Sequence, residues 1–256
     1  MKIGILLKQV PDTETKIKIN TDGKGIDENG IRWIMNPYDE LAIEEALRIK
    51  DKTQCEVVVI SAGPARTIEA IRQALAMGSD RGIHIETKTS FTDPAITSIL
   101  LANAAKKESF DLIFSGKQSV DNDCGQVHIG VAEKLGWPHI SPVEKFSFVD
   151  EKKITAQRPV SGGTKEIIEC DMPVVIGCEK GLNEPRYASL PGIMKAKSKP
   201  VETLKAEDLL NGENEILSIL KQELPPERKP GKIIEGEPEV AAENLVKILR
   251  EQAKVI

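Results

Sequence analysis

The sequence predicts an α/β fold, a mostly parallel sheet flanked by helices, with antiparallel strands added late and an extended C-terminal arm ending in a helix. Three observations carry this. Short β-branched runs alternate with longer helical patterns through the first half. The run Val57-Val58-Val59-Ile60 is unbroken, as expected for a strand buried on both faces. After Trp137-Pro138 the alternation gives way to strand pairs separated by charged turns.

The elements follow in order. Ile3 to Leu7 is a first strand. Tyr38 to Lys50 is a helix with Leu41, Ala42, Ala46, Leu47 and Ile49 on its apolar face. Cys55 to Ser61 is a second strand, and a helix is expected from Pro64 to Met77. Arg81 to Glu86 is a third strand, Asp93 to Lys107 a helix, Leu112 to Ser115 a fourth strand, and Gln126 to Leu135 a helix. Hairpin-like strands are expected at Glu144 to Asp150, Lys153 to Val160, Glu166 to Cys170 and Pro173 to Cys178. A stiff linker, Leu224-Pro225-Pro226-Glu227-Arg228-Lys229-Pro230-Gly231, leads to a helix over Pro238 to Lys254. Its stripe of Leu245, Val246, Ile248 and Leu249 needs a cover, either its own domain or another chain. The expected domains are 1–222, which includes a segment 182–200 with the makeup of a docking loop, and 223–256.

Composition excludes several functions. The chain has 256 residues, with Lys+Arg 35 against Asp+Glu 40, so it lacks the cationic excess of a general nucleic-acid binder. Aromatic residues are 4%, too few for a base-stacking surface. No apolar run reaches the roughly 18–20 residues that span a bilayer, and the N-terminus passes straight into a strand without a signal-peptide pattern. Membrane insertion is not expected, and a cytoplasmic location is. The four cysteines form no C-x-x-C and the three histidines no H-E-x-x-H, so structural zinc and a disulfide framework are not expected. His84, on a strand, reads as a satisfied core residue.

In an open parallel sheet, ligands sit beyond the carboxyl ends of the strands. Three loops there stand out. Met35-Asn36-Pro37-Tyr38-Asp39-Glu40 has the makeup of a helix cap, with Asn36 capping, Pro37 in the first turn, and Asp39 and Glu40 complementing the dipole; the same amide could read an adenine edge. Ser61-Ala62-Gly63-Pro64 is either a tight turn or a place where another molecule approaches the backbone. The loop from Ser115-Gly116-Lys117-Gln118 through Asp121 to Val127 opens into a helix whose amides could meet a phosphate, although Asp121 and Asp123 must then face away. It matches neither the Walker pattern nor G-x-G-x-x-G. No nucleophile motif accompanies His84, His128 or His139, so these residues suggest a binding site without an acid, base or nucleophile. Downstream, exposed apolar residues beside lysines in Leu182 to Pro200 have the composition of a protein docking surface, or of a short helix packed on the core with its lysines solvated.

Lys8-Gln9-Val10-Pro11-Asp12, Met35-Asn36-Pro37-Tyr38-Asp39, Ala74-Leu75-Ala76-Met77-Gly78-Ser79-Asp80-Arg81-Gly82, Gly116-Lys117-Gln118 with Asp121-Asn122-Asp123-Cys124-Gly125-Gln126, and Leu182-Asn183-Glu184-Pro185-Arg186-Tyr187 occur in one order along the chain. In these segments, the last two above all, the sequence resembles the beta subunits of electron transfer flavoproteins. The resemblance implies a Rossmann-like, adenine-nucleotide-binding domain in a heterodimer whose alpha subunit holds most of a redox FAD. This subunit is then no enzyme by itself. It would bind a structural AMP through Leu6, Asn36, Pro37, Tyr38, Asp39, Ala62, Asp121, Asn122, Asp123, Cys124, Gly125, Gln126 and Val127. The family's recognition loop maps onto Arg186, Tyr187, Ala188, Ser189, Leu190, Pro191, Gly192, Ile193 and Met194. Leu190 would enter a pocket on the partner, with Lys195, Lys197 and Lys199 as charged flank.

The resemblance further implies electron donors among acyl-CoA dehydrogenases and other flavoprotein dehydrogenases, a quinone oxidoreductase as acceptor, and the C-terminal helix as an arm on the alpha subunit. In a eukaryote the location would be the mitochondrial matrix. Ser189-Leu190-Pro191-Gly192-Ile193-Met194 is closer to the AMP-bearing type than to bifurcating members, which carry a second FAD and often a basic residue after the Leu. Ser161 and Gly177 depart from the usual pattern, where an acidic residue and a small hydroxyl or thiol residue are common. Outside the family, the competing reading is a standalone adenine-nucleotide sensor. An ATP-pyrophosphatase-type enzyme would want a phosphate loop after the first strand, which Lys8-Gln9-Val10-Pro11 does not supply.

Overall fold

The computed structural model describes residues 1–88, 93–214, 217–226 and 230–256; the linker positions Glu227 to Lys229 lie outside them. The chain divides into two compact units, one of Met1–Ile17 with Asp27–Leu220, the other of Lys18–Ile26 with Lys221–Ile256.

The first unit is built on strands β1 (Lys2–Leu6), β2 (Gln9–Pro11) and β3 (Trp33–Met35), helix α1 (Pro37–Lys50), β4 (Glu56–Gly63), α2 (Thr67–Met77), β5 (Arg81–Glu86), α3 (Pro94–Lys106), β6 (Leu112–Gly116) and α4 (Val127–Leu135). There follow β7 (His139–Val143), β8 (Lys145–Phe148), β9 (Lys153–Pro159), β10 (Lys165–Asp171), β11 (Val174–Cys178), α5 (Leu190–Ala196) and β12 (Val201–Lys205). Seven strands form one sheet in the order β12-β5-β4-β1-β6-β11-β7, parallel at every pairing.

The chain winds outward from β1 through β4 to β5, then returns to place β6 on the other side of β1. That reversal opens a crevice at the carboxyl ends of β1 and β6. Alternation along β1 sends Ile3 and Ile5 to one face, where they pack with Ala42, Ala46 and Leu47 of α1 and Ile71 and Leu75 of α2. Leu6 faces the opposite side, with Leu100 and Leu101 of α3 and Val131 of α4. Two buried layers on one sheet are what the unbroken apolar runs require.

Several expectations need correction. Pro64 does not start a helix: Pro64 to Arg66 form turns, and α2 begins at Thr67. Val174–Cys178 is not an antiparallel partner; it is a buried parallel strand between β6 and β7. The antiparallel strands after α4 form the sheet β10-β9-β8, and β2 and β3, separated by residues 12–32, make a second small antiparallel pair. β7 and β12 lie at the two edges of the main sheet, where exposure on one side lets polar residues and Pro142 interrupt the apolar signal. At Gly177 an added Cβ would fall 2.2 Å from Ser141 Oγ and 2.8 Å from His128 Nε2. Ser141, on the neighbouring strand, thus occupies the space that a side chain at 177 would need.

In the second unit, Ile19 bridges Ile26 and Gln222 N donates to Gly23 O at 2.7 Å. Its helix α6 covers Pro238–Lys247 and continues as a π-helical turn over Ile248–Ala253. Leu245 and Val246 are exposed, whereas Ile248 and Leu249 are half-buried.

Phe114 is fully buried mid-sheet and meets Phe146 edge-on, with centroids 5.2 Å apart. Phe114→Ala should cost about 3–5 kcal/mol, read as a lowered urea midpoint.

Candidate functional site

All three loops singled out in the sequence leave strands of the main sheet or enter its first helix. The residue between β3 and α1, Asn36, is 1% exposed, and it does not cap α1 with its side chain. Instead Asn36 Nδ2 donates to Gln118 O at 2.9 Å, and Asn36 Oδ1 accepts from Val120 N at 3.2 Å. The amide is thus a staple between α1 and the loop after β6, and its side-chain oxygen and nitrogen are engaged with protein.

One turn into the helix, Asp39 is buried and accepts from two backbone amides, Lys8 N at 2.7 Å and Gly116 N at 2.9 Å. These amides belong to the chain leaving β1 and to the end of β6, so one carboxylate closes the bottom of the crevice. The approach demands glycine at 116, because a Cβ there would lie 2.5 Å from Asp39 Oδ1 and 2.6 Å from Tyr38 Cβ. Burial pushes the Asp39 carboxyl from its ordinary 3.8 up to about 7, against the opposing pull of Lys8 N, the Asn36 side chain, Gly116 N and the Lys8 charge.

The loop after β6 is organised by its own polar side chains. Asp121 takes both carboxylate oxygens to Lys8 Nζ, at 2.8 and 2.7 Å, and Lys8 Nζ also donates to Ser119 Oγ at 3.2 Å. Gln118 Nε2 donates to Asp123 Oδ1 at 2.7 Å. Ser119 Oγ and Cys124 N both donate to Asn122 Oδ1. Asp123 and Gly125 take positive φ values of 51° and 61°, turning the chain sharply into α4. The two carboxylates that looked wrong for an anion site are therefore held by Lys8 and Gln118. Gln126, the residue before α4, gives no side-chain cap, so the first-turn amides of α4 have no such acceptor. Its neighbour His128 is buried, and burial, then the nearby His139 charge, lowers its pKa to about 4, leaving it neutral.

Leu6 is buried and Ala62 half-buried, at the carboxyl ends of the adjacent strands β1 and β4. Ser61 Oγ donates to Leu7 O at 2.6 Å. At Gly63 the carbonyl accepts from His84 Nε2 at 2.9 Å. His84 is a core residue, as expected, but its Nδ1 has no partner. Small residues at this strand end, a glycine at 116 and a helix N-terminus without a side-chain cap leave backbone amides beside the strand ends, an arrangement chemically suited to an anionic group. Sequence reasoning missed Lys8 and Gln118 as organisers of the loop; the only signal was a lysine directly following the first strand.

The segment 182–199 is pinned at both ends. Asn183 Nδ2 donates to Leu41 O and Glu45 Oε2, at 3.0 and 2.9 Å. Arg186 grips the buried Glu44 through Nε and NH2, at 2.8 and 3.1 Å, and reaches Asp51 at 2.8 Å. Lys199 Nζ donates to Leu75 O and Ser79 O, at 2.9 and 2.5 Å. Lys199 is therefore an anchor and no part of an exposed charged flank, and Arg186 likewise spends its guanidinium on α1. Lys195 and Lys197 are exposed. Ser189 caps α5 by accepting from Gly192 N at 3.1 Å, with Pro191 in the first turn. The side chains left outward are Tyr187, 99% exposed, Leu190, 79%, and Met194, 74%, with Ile193 partly turned inward. Ala188 is half-buried.

Together these features define a Rossmann-like α/β protein with its crevice where the strand order reverses. The electron transfer flavoprotein domain family matches residues 24–209. The mitochondrial electron transfer flavoprotein subunit beta of Arabidopsis thaliana is 40% identical over 258 residues, covering 100% of both chains. The subunit beta of Bacillus subtilis is 40% identical over 261 residues, again covering 100% of both. That of Homo sapiens is 38% identical over 259 residues, covering 100% of this chain and 99% of the human one. The chain belongs to the electron transfer flavoprotein family, and its full-length relatives are beta subunits, components of an electron carrier rather than enzymes. Among the described residues, no helix is long and apolar enough to cross a membrane, and no cluster suited to a metal ion occurs.

Asp39 yields a prediction with a definite sign. Between about pH 4 and pH 7 the folded chain holds a proton that the unfolded chain releases, so this group removes stability as pH rises through that window. Asp39→Asn abolishes the titration but sets an amide nitrogen against a backbone N–H. It should cost about 1–3 kcal/mol at pH 5, and the gap to the unmodified protein should narrow by pH 8, as read from urea midpoints at both values.

Proposed function

We propose that this chain pairs with an electron transfer flavoprotein alpha subunit, which holds most of a redox FAD, and that its own crevice holds a structural AMP. The heterodimer takes electrons from acyl-CoA dehydrogenases and other flavoprotein dehydrogenases and passes them to a quinone oxidoreductase, in the cytoplasm or, in a eukaryote, the mitochondrial matrix. The observation that carries the reading is the stitched crevice. Asn36 and Asp39 tie the loop after β6 to the first strand and helix, while the amides opening α4 stay uncapped.

In this reading Leu6 and Ala62 wall the adenosine, the turn Asn36-Pro37-Tyr38-Asp39 forms the crevice edge, and Asp121 to Val127 wrap the phosphate. Asn36 acts by holding the loop, since its amide is already engaged. The flavin supplies the redox chemistry when bound; the residues of this chain orient, bury and dock. Segment 186–194 is the dehydrogenase-facing loop, a small apolar contact that suits fast release. Residues 223–256 form the arm that docks on the alpha subunit.

Three measurements test the proposal. Denaturing the purified heterodimer and identifying the released small molecules by mass spectrometry should give AMP and one FAD; two FAD would support the bifurcating alternative instead. Leu190→Ala should slow electron delivery by dehydrogenases with flavin content intact, and an unchanged rate with several donors would refute the hook. Truncation before Pro238 should weaken co-purification with the alpha subunit; full-strength assembly would remove the arm from the proposal.

A further inference from the structure

The recognition segment is mounted on α2 by an exchange of cations between two helix ends. Arg72 NH1, from α2, donates to Ala196 O and Lys199 O, both at 2.6 Å, satisfying carbonyls at and just beyond the end of α5. Lys199, which follows α5, returns the favour with Nζ on Leu75 O and Ser79 O at the end of α2. Cations belong at helix C-termini, where carbonyls lack partners and the dipole is negative. Here Arg72 of α2 serves the end of α5, and Lys199, three residues past α5, serves the end of α2, where Lys50 Nζ adds a bond to Gly78 O at 3.2 Å. Gly192 permits the close approach, because a Cβ there would lie 2.4 Å from Ala76 O.

A surface groove of about 790 Å³, open to solvent, runs beside the mount and is lined by Tyr187, Ala188, Ile193, Met35, Met77 and Arg72 among others. Ala196 is buried in the core and Ala188 packs against it, whereas Leu190, Ile193 and Met194 are exposed, so the pose of these outward side chains depends on how the two ends of the segment are held. Arg186 on Glu44 and Asp51 holds the entry; Arg72 and Lys199 hold the exit. From this geometry we infer that Arg72 is a positioning residue for partner recognition: it fixes the exit of α5 so that Leu190 and Met194 are presented in one pose. Without it, the exit of α5 loses the bonds that fix its carbonyls, and a docking partner must reorder the loop at its own cost. The inference rests on the recognition-loop reading above.

The test uses the intact heterodimer as electron acceptor for an acyl-CoA dehydrogenase supplied with its substrate. Arg72→Ala should raise the apparent KM for the heterodimer about fivefold, as expected when one or two side chains must be reordered on binding. Meanwhile kcat stays within about twofold, and the flavin spectrum and reduction by dithionite are unchanged. Arg72→Lys, which keeps one cation on the carbonyls, should recover most of the KM. In a Leu190→Ala background, Arg72→Ala should add little, because both act through the same hook.

If Leu190→Ala leaves KM unchanged, the recognition-loop reading fails, and this inference with it. If Leu190→Ala raises KM and Arg72→Ala does not, the positioning role alone is overturned. Flavin loss, or equal falls in kcat and kcat/KM at constant KM, would show a general structural role and also overturn it. Should the alanine variant not assemble, Lys199→Met removes the reciprocal cap and carries the same test with the same expected KM rise.

Discussion

The structure depends on a single buried carboxylate. Asp39 sits where the sheet reverses direction and binds one amide from the chain leaving β1 and one from the end of β6. An open α/β sheet tends to gape at this point, since its two halves are wound by different helices. A side chain from the first turn of α1 spans the gap, and burial makes the arrangement costly enough to need both amides. Asn36, three residues earlier, extends the same helix turn onto the following loop. The crevice thus has a floor fixed by Asp39 and a wall tethered by Asn36.

Farther from the crevice, segment 186–194 holds Tyr187, Leu190 and Met194 out to solvent. Polar groups do most of the fixing here too, and nearly all are charge-assisted: Arg186 with Glu44, Arg72 with two carbonyls, Lys199 with two more. The apolar side chains are freed for exposure. This inverts the usual use of surface charge, since the cations hold the backbone while the hydrophobic residues face outward. Arg81 does similar structural work beneath the sheet, joining Glu56 and Glu108. None of these groups needs to act on a reacting atom, in keeping with a carrier subunit whose chemistry resides in a prosthetic group.

Much of this was legible in the sequence. Buried parallel strands announce themselves by continuous apolar runs, so β1, β4, β5 and β6 and the helices between them could be read directly. Edge strands could not: β7 carries Pro142 and β12 carries Glu202 and Lys205, so neither shows the burial pattern that marks a strand. The apolar run Val174–Cys178 marks β11 as a strand but does not say which neighbours it joins, and it pairs in parallel with β6 and β7 rather than antiparallel. The three loops lie at the carboxyl ends of the strands or at the start of α1, where the βα alternation puts them. The particular bonds within them were not legible, because Asn36 and Gln118 are 82 residues apart and the local pattern of Asn-Pro before a helix points equally to a cap. The lysines after Met194 showed the same limit. The resemblance implies a charged flank for all three, and only the fold reveals that Lys199 turns back onto α2.

If the crevice walled by Asn36, Asp39 and the loop into α4 is a mononucleotide site in a carrier subunit, hydrogen exchange on the nucleotide-stripped heterodimer, with and without added AMP, will report it. Amides between Ser119 and Ile129 should exchange more slowly once AMP is added, with residues 187–194 unchanged. Unaltered exchange across that loop at saturating AMP would rule such a site out.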